Sequence, residues 1–218
     1  MIDQIRNELQ NFCSEFGYSV EQAEKQILKI GEPQYKSGTK SILIVCFAAI
    51  AYAIKSITNI LEIGTGAGNN VRILSKIFPK SNIYTIDISD TDPDYKKLSW
   101  RQTKEEAKEY KDNISRDNIH LIITNSLLLP LIDLPMKFDL IFIDGGHNHP
   151  VVGCDTMYSY SRLKKDGFLF MHDYTTLSNI NDILSVVNYF GGIIDEKFRL
   201  LPDNYNQPES RIAWLRKK

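Results

Sequence analysis

The amino-acid sequence predicts a single α/β domain: a doubly wound, seven-stranded, mostly parallel sheet with helices on both faces and an antiparallel strand at its C-terminal side. Three observations carry that expectation. Short β-branched runs alternate with helical ones from Asn59 onward, the order expected when helical crossovers connect parallel strands. A glycine-rich turn, Gly64-Thr65-Gly66-Ala67-Gly68, joins the first of these strands to a helix. Two later apolar strands end in acidic residues, Asp144 and Asp173, at the sheet edge where open α/β sheets take their ligands. With 218 residues and 43 % apolar content, the chain can bury one substantial core.

The elements follow in order. Residues 1–40 read as two short amphipathic helices and a Gly/Pro-punctuated loop, GEPQYKSGTKS, forming an N-terminal helical extension or a lid. Ile42 to Ile54 is the longest apolar run and reads as a buried helix, since it falls well short of the ~20 residues that span a bilayer. Strands are expected at Asn59–Ile63, Asn82–Asp87, Ile119–Ile123, Leu140–Asp144 and Phe168–His172. Helices are expected at Asn70–Ile77, Thr103–Asn113, Val151–Lys164 and Ser178–Tyr189. The helix around KEEAKEYKDN interleaves lysine and glutamate at helical spacing, which marks a solvated face. Two further strands, near Gly192–Phe198 and Arg211–Leu215, flank a loop rich in Pro and Asn and suit a closing antiparallel pair.

The segment NILEIGTGAGNN holds the first chemical signal. Gly64, Gly66 and Gly68 recur at alternate positions, and glycine there allows positive φ and close approach of a ligand to bare backbone. The helix that follows offers unpaired N–H groups to an anionic group. A dinucleotide fingerprint would place a glycine at position 69, which is Asn69 here, and Glu62 stands just before the turn. Asp87 ends the next strand, where a ribose-binding carboxylate is expected.

The second signal lies in FDLIFIDGGHNHP and GFLFMHDY. Adjacent strands ending in Asp144 and Asp173 crowd two carboxylates together, and a divalent cation would cancel their repulsion. Oxygen donors favour Mg²⁺ or a similar hard ion. The same aspartates could instead cap the helices that follow. His147 can take a proton at neutral pH, His149 precedes Pro150 in a loop, and His172 could ligate a metal or only fill the strand end.

The E-x-G-x-G-x-G pattern resembles motif I of the class I S-adenosylmethionine (SAM)-dependent methyltransferases, whose fold is a Rossmann-like sheet. The run from Phe138 to Tyr174, with its D-G-G-H segment and the internal Asp155, is similar to the macrocin-type and other sugar O-methyltransferases. The resemblance implies a cofactor site at Glu62, Gly64, Thr65, Gly66, Gly68, Asp87, Ile88, Asn125, Ser126 and Asp144. It implies a catalytic pair, Asp144 and His147, with His147 as proton acceptor, and a metal set of Asp144, His172 and Asp173 holding Mg²⁺. This chain departs from the pattern at His172, where relatives often carry an acid, at Asp166 before Gly167, and at Asn125 in place of an aspartate near the adenine.

The function expected is methyl transfer from SAM to a hydroxyl of a small molecule or sugar, with Tyr35, Trp100 and Tyr174 as aromatic candidates to stack on the acceptor. A nicotinamide-dependent oxidoreductase and a catalytically silent SAM-binding module are the alternatives. A formal charge of −1 without a strong basic block gives no reason to expect nucleic-acid binding. Cys13, Cys46 and Cys154 lack metal-type spacing and suit reduced thiols, and MIDQIRNELQ has no apolar leader, so a cytoplasmic protein is expected. Ile2 to Ile30 can either cover its own cleft or pair with a second copy in a homodimer.

Overall fold

The computed structural model describes residues 2–32, 42–89, 92, 103–174, 181–203 and 211–218. Tyr35, Trp100, the loop after Glu32 and the first residues of the helix expected at Ser178 lie outside them. Seven strands form one sheet: β1 (Asn59–Ile63), β2 (Asn82–Asp87), β3 (Ile119–Ile123), β4 (Phe138–Ile143), β5 (Leu163–Tyr174), β6 (Arg199–Pro202) and β7 (Arg211–Arg216). Their spatial order is β3-β2-β1-β4-β5-β7-β6. The first five pair in parallel, and β7 runs antiparallel between β5 and β6. The chain order reverses direction at β1, so β1 and β4 lie side by side at the switch point of the sheet.

Helices α1 (Ile2–Ser14), α2 (Val20–Lys29), α3 (Leu43–Ala53) and α4 (Asn69–Ile77) build a core against one sheet face, around Ile60, Leu140, Phe142 and Phe170. α5 (Lys104–Ile114) packs beside α4. On the opposite face, α6 (His149–Arg162) and α7 (Asn181–Ile194) cover Leu61, Ile141, Ile143 and Leu169. The alternation of side chains along each strand therefore feeds two apolar layers, as expected for a sheet buried on both faces. α3 has apolar residues all round because the sheet and the N-terminal helices enclose it, and Leu43 through Ile50 are buried without interruption.

The N-terminal extension packs on the sheet. Phe12 of α1 sits 4.9 Å from the Trp214 ring and 5.0 Å from Phe16, with Phe170 at 6.4 Å. Arg211 meets Glu8 at 2.7 Å, and Arg199 pairs with Glu15. The capping box at Ser19 and Gln22 starts α2 with its first amides satisfied.

Two expected boundaries are corrected. The run Gly192–Phe198 is not a strand: α7 continues through Gly191 and Gly192 to Ile194, and β6 begins at Arg199. Ile183, Val186, Val187 and Phe190 recur at helical spacing and are buried, so tertiary burial overrides the two glycines. Asp195, at φ 53°, then ends the helix, with the Glu196 amide donating to the Gly191 carbonyl. The helix expected at Val151–Lys164 also stops sooner, at Arg162, because Leu163 already pairs with Phe138 in the sheet.

The aromatic contact between α1 and the sheet makes a direct prediction. Phe12→Ala should lower unfolding free energy by about 3–5 kcal/mol in a urea titration, the range for a large aromatic deleted from a packed core. A change below about 1 kcal/mol would show that α1 adds little to the domain.

Candidate functional site

Each parallel strand delivers its last residue to the same edge of the sheet, and the ends of β1, β2, β4 and β5 open on one cleft of about 720 Å³. Every site residue expected from the sequence lines this cleft except Glu62 and Gly68. Tyr174 does not line it and pairs instead with Arg211 of β7. None of residues 2–32 reaches the cleft.

The three glycines of the turn serve different ends. Gly64, at φ 100°, lies so close to β4 that a Cβ would stand 2.1 Å from the Asp144 carbonyl oxygen. Gly68, at φ 78°, backs onto α5, where a Cβ would be 3.0 Å from that of Asn113. Gly66, at φ 53°, has no atom within 4 Å of its Cβ position and lines the cleft, so it alone of the three leaves an open cradle. The α4 helix opens behind it with no side-chain cap, leaving its first amides to meet an anionic group. Asn113 steadies the turn from α5 by donating from Nδ2 to the Ala67 carbonyl at 2.9 Å.

Beneath the turn, Glu62 is fully buried. Thr85 donates to its Oε2 at 2.5 Å, and the Thr85 and Thr65 hydroxyls share a 2.7 Å bond, which links Glu62 to the cleft floor. Burial pushes the Glu62 carboxyl up to about 8; the Thr85 bond opposes that shift, while the charges of Asp144 and Asp87 add to it. Asp87 ends β2 at the cleft wall, with the Ile88 amide donating to its Oδ1 at 2.9 Å. Asn125 and Ser126 continue that wall into a short 3₁₀ helix.

On the other side, β4 and β5 bring together Asp144, His147, His172 and Asp173. One ligand atom from each of Asp144, His147 and Asp173 lies within 4.8 Å of the others. His147 Nε2 is 3.1 Å from Asp173 Oδ2, and His172 Nδ1 is 3.3 Å from Asp144 Oδ1 and 3.2 Å from Asp173 Oδ1. Both imidazole nitrogens are buried, and neither is aligned for a hydrogen bond to those carboxylates. The other ring nitrogen of His172 meets Asp203 Oδ1 at 3.0 Å. Burial would lower the His172 pKa, but Asp144, Asp173 and Asp203 outweigh it and hold the ring far above the usual imidazole range. Burial would raise the Asp173 carboxyl, yet His147 and His172 hold it well below its ordinary value. Asp173 also takes φ 56°, a left-handed backbone that turns its side chain at the strand end.

Asp155 of α6 is fully buried behind the D-G-G-H loop, its Oδ2 3.6 Å from where a Cβ on Gly145 would stand, and burial pushes its carboxyl up to about 6. Sequence reasoning missed Asp203, Asn113 and Thr85. Thr85 had a detectable signal, a polar residue inside the apolar strand NIYTID. Asp203 had none, since it follows a strand placed elsewhere and reaches His172 from 31 residues away.

This topology, with a glycine turn after β1, an acid ending β2 and the cleft at the switch point, defines a class I methyltransferase fold. The chain belongs to the methyltransferase domain family, whose pattern matches residues 61–174, more than half of its length, and it is a SAM-dependent methyltransferase. No curated protein matches the chain by sequence. Solved structures of similar fold include an O-methyltransferase from Bacillus cereus in complex with SAH, at 15 % identity and TM-score 0.57 over 100 % of both chains. A putative caffeoyl-CoA O-methyltransferase from Staphylococcus aureus has 18 % identity and TM-score 0.52, covering 78 % of this chain and 82 % of that one. An rRNA methylase from Streptococcus thermophilus has 16 % identity and TM-score 0.54, covering 78 % and 92 %. At these identities the likeness establishes the fold. Among the described residues, no helix is long and apolar enough to cross a membrane.

Two predictions follow from the turn. Gly66→Val should leave the domain folded and abolish binding of S-adenosylhomocysteine (SAH) in calorimetry, whereas Gly64→Ala should destabilise the fold itself, by at least ~1–3 kcal/mol from backbone strain alone. Unchanged SAH affinity in the Gly66 variant would remove the turn from the cofactor site. For Glu62 the sign is set by a carboxyl that keeps its proton longer in the folded chain. Stability is fully present below the usual value of 4.5 and is lost as pH rises towards 8. The melting temperature of Glu62→Gln relative to the parent should therefore climb across that window; a constant difference would mean that Glu62 is ionised in its buried site.

Proposed function

We propose that the chain methylates a hydroxyl on a small molecule or sugar, as the macrocin-type resemblance suggests, with assistance from a divalent cation. The observation that carries this reading is the shared wall of the cleft. Gly64 of the cofactor turn abuts the backbone of Asp144, the first acid of the Asp144, His147, His172 and Asp173 group. A methyl donor laid on the turn and an acceptor held at that group therefore meet. Two of the similar structures are called O-methyltransferases, which supports the same choice.

SAM, when bound, supplies a methyl group already activated on a sulfonium, which leaves the protein to align the acceptor and remove its proton. Alignment of this kind is worth up to ~7–11 kcal/mol. The open cradle at Gly66 and the uncapped start of α4 fit the methionine end, Asp87 accepts hydrogen bonds from the ribose hydroxyls, and Asn125 with Ser126 edges the adenine. His147 has an Nε2 without a hydrogen-bond partner, 3.1 Å from Asp173, so it can accept the hydroxyl proton while the carboxylate stabilises the resulting charge. Asp144 and Asp173 are half-buried, and a cation there would be held by Asp144, His172 and Asp173 as the resemblance implies, while the set whose donor atoms all lie within 4.8 Å of one another is Asp144, His147 and Asp173. A bound cation would orient the acceptor oxygen and make its proton easier to lose.

The test is a methyl-transfer assay over a panel of sugars and phenols, run beside SAH calorimetry. His147→Ala should lower turnover by about 10²–10⁴-fold, the usual worth of a general base, while SAH affinity changes less than about threefold. Full turnover in that variant would sink the assignment of His147.

A further inference from the structure

We infer that Asp155, buried behind the cleft wall, orients the Ser126 hydroxyl so that it offers the cleft an acceptor, and that this pair selects a 6-amino purine over a 6-oxo one. The inference rests on the seat of the adenine at Asn125 and Ser126 proposed above, and adds to it a positioning residue outside the cleft.

Asp155 is a charge that the mechanism leaves unused. It is fully buried, and among the described residues neither of its carboxylate oxygens has an aligned hydrogen-bond donor. Leaving a buried carboxylate unpaired is costly, so a donor is expected to close on it when the site is filled. Its neighbour on the helix does not supply one, since the Thr156 hydroxyl donates to the Val152 carbonyl at 2.7 Å. Two pieces of the cleft wall stand in front of it. Oδ2 is 3.6 Å from the Cβ position of Gly145, and the Ser126 hydroxyl is near enough to oppose the effect of burial on the Asp155 carboxyl. Gly145 and Ser126 line the cleft, whereas Asp155 does not. The start of α6 is pinned: Asn148 accepts from the Val151 amide at 3.4 Å, and Asp182 from the His149 amide at 2.8 Å. A fixed helix therefore presents Asp155 to the back of the wall.

The consequence lies in the direction of one proton. A carboxylate only accepts hydrogen bonds, whereas a hydroxyl has one proton to donate and two lone pairs. With its proton directed to Asp155, Ser126 has only lone pairs left for the cleft. Asn125 beside it differs. Its side-chain oxygen accepts from the Leu127 amide at 3.0 Å and caps the 3₁₀ helix, so the amide N–H₂ is what it brings to the wall. The acceptor for an exocyclic amine is then Ser126. A 6-oxo purine would bring a carbonyl to the same place. Either Ser126 turns its proton outward and strands the buried carboxylate, or two acceptors face each other. A site built to hydrogen-bond a group in this way rejects the analogue that lacks it.

The experiment uses the full chain at pH 7.5, above the value of about 6 to which burial pushes the Asp155 carboxyl. Calorimetry compares SAH with S-inosylhomocysteine, in which an oxygen replaces the 6-amino group. The parent should bind SAH about 10–100-fold tighter. Asp155→Asn keeps the size of the side chain but can donate to Ser126, which frees the hydroxyl proton for the cleft. The preference should then narrow by about tenfold or more. Ser126→Ala should bring the ratio near one, and Asp155→Asn added to it should not move the ratio further, as expected of two residues acting as a unit. A role confined to packing would weaken both ligands alike and leave the ratio untouched.

Circular dichroism reports the fold of each variant, and Asp155→Ser gives the same reading from a smaller side chain. Equal affinity of the parent for the two ligands overturns the inference, as does an unchanged ratio in a folded Asp155 or Ser126 variant. Loss of the fold in both Asp155 variants would make this residue purely structural and overturns it too. Loss of SAH binding by the parent chain would instead bring down the methyltransferase reading itself.

Discussion

The cleft depends on the close approach of β1 and β4 at the centre of the sheet. The Asp144 amide donates to the Ile63 carbonyl at 2.8 Å, while the Gly64 and Thr65 amides both donate to the Ile86 carbonyl of β2, at 2.9 and 3.1 Å. The chain leaving β1 is thus bonded to both neighbours before it turns. A side chain at position 64 would collide with the Asp144 backbone, so the glycine is required by packing between strands, before any ligand is considered. This one contact fixes the distance between the glycine turn and the group of Asp144, His147, His172 and Asp173, and the rest of the fold holds it in place.

Electrostatics shape what that arrangement can do. The strand ends gather Asp87, Asp144 and Asp173 around one cleft, with Glu62 buried below it. Self-repulsion of this kind is costly in a low-dielectric setting. The protein answers it in two ways: Glu62 keeps its proton, and two imidazoles are placed against Asp144 and Asp173. The left-handed backbone of Asp173 is the local strain accepted to put a carboxylate between those rings.

The supporting layers explain why the turn is firm. Asn113 and Tyr110 of α5 pack behind Gly68, and the Arg72 and Lys76 side chains of α4 close on the buried Glu32 carboxylate at the end of the N-terminal extension. Pairing both cations with one buried acid ties that extension to the helix that starts at the glycine turn. α1 is held in turn by Phe12 against Trp214, a residue of the antiparallel strand β7. The extension thus belongs to the core of the domain.

Read by itself, the amino-acid sequence determined the first five strands, the glycine turn and the acids at the ends of β2, β4 and β5. Those features are local: a β-branched run, alternate glycines and an acid at a strand end are each contiguous. It also singled out His147 and His172, because both sit beside such an acid. Only the tertiary structure decided which glycine faces the cleft, since that depends on β4 and α5 standing behind positions 64 and 68. It decided the end of α7 as well, where burial of Val186, Val187 and Phe190 outweighed the helix-weakening glycines. Asp203 was beyond reach of any local pattern: it meets His172 because β6 and β7 fold back beside β5, and pairing between distant strands leaves no periodicity in the sequence that could announce it.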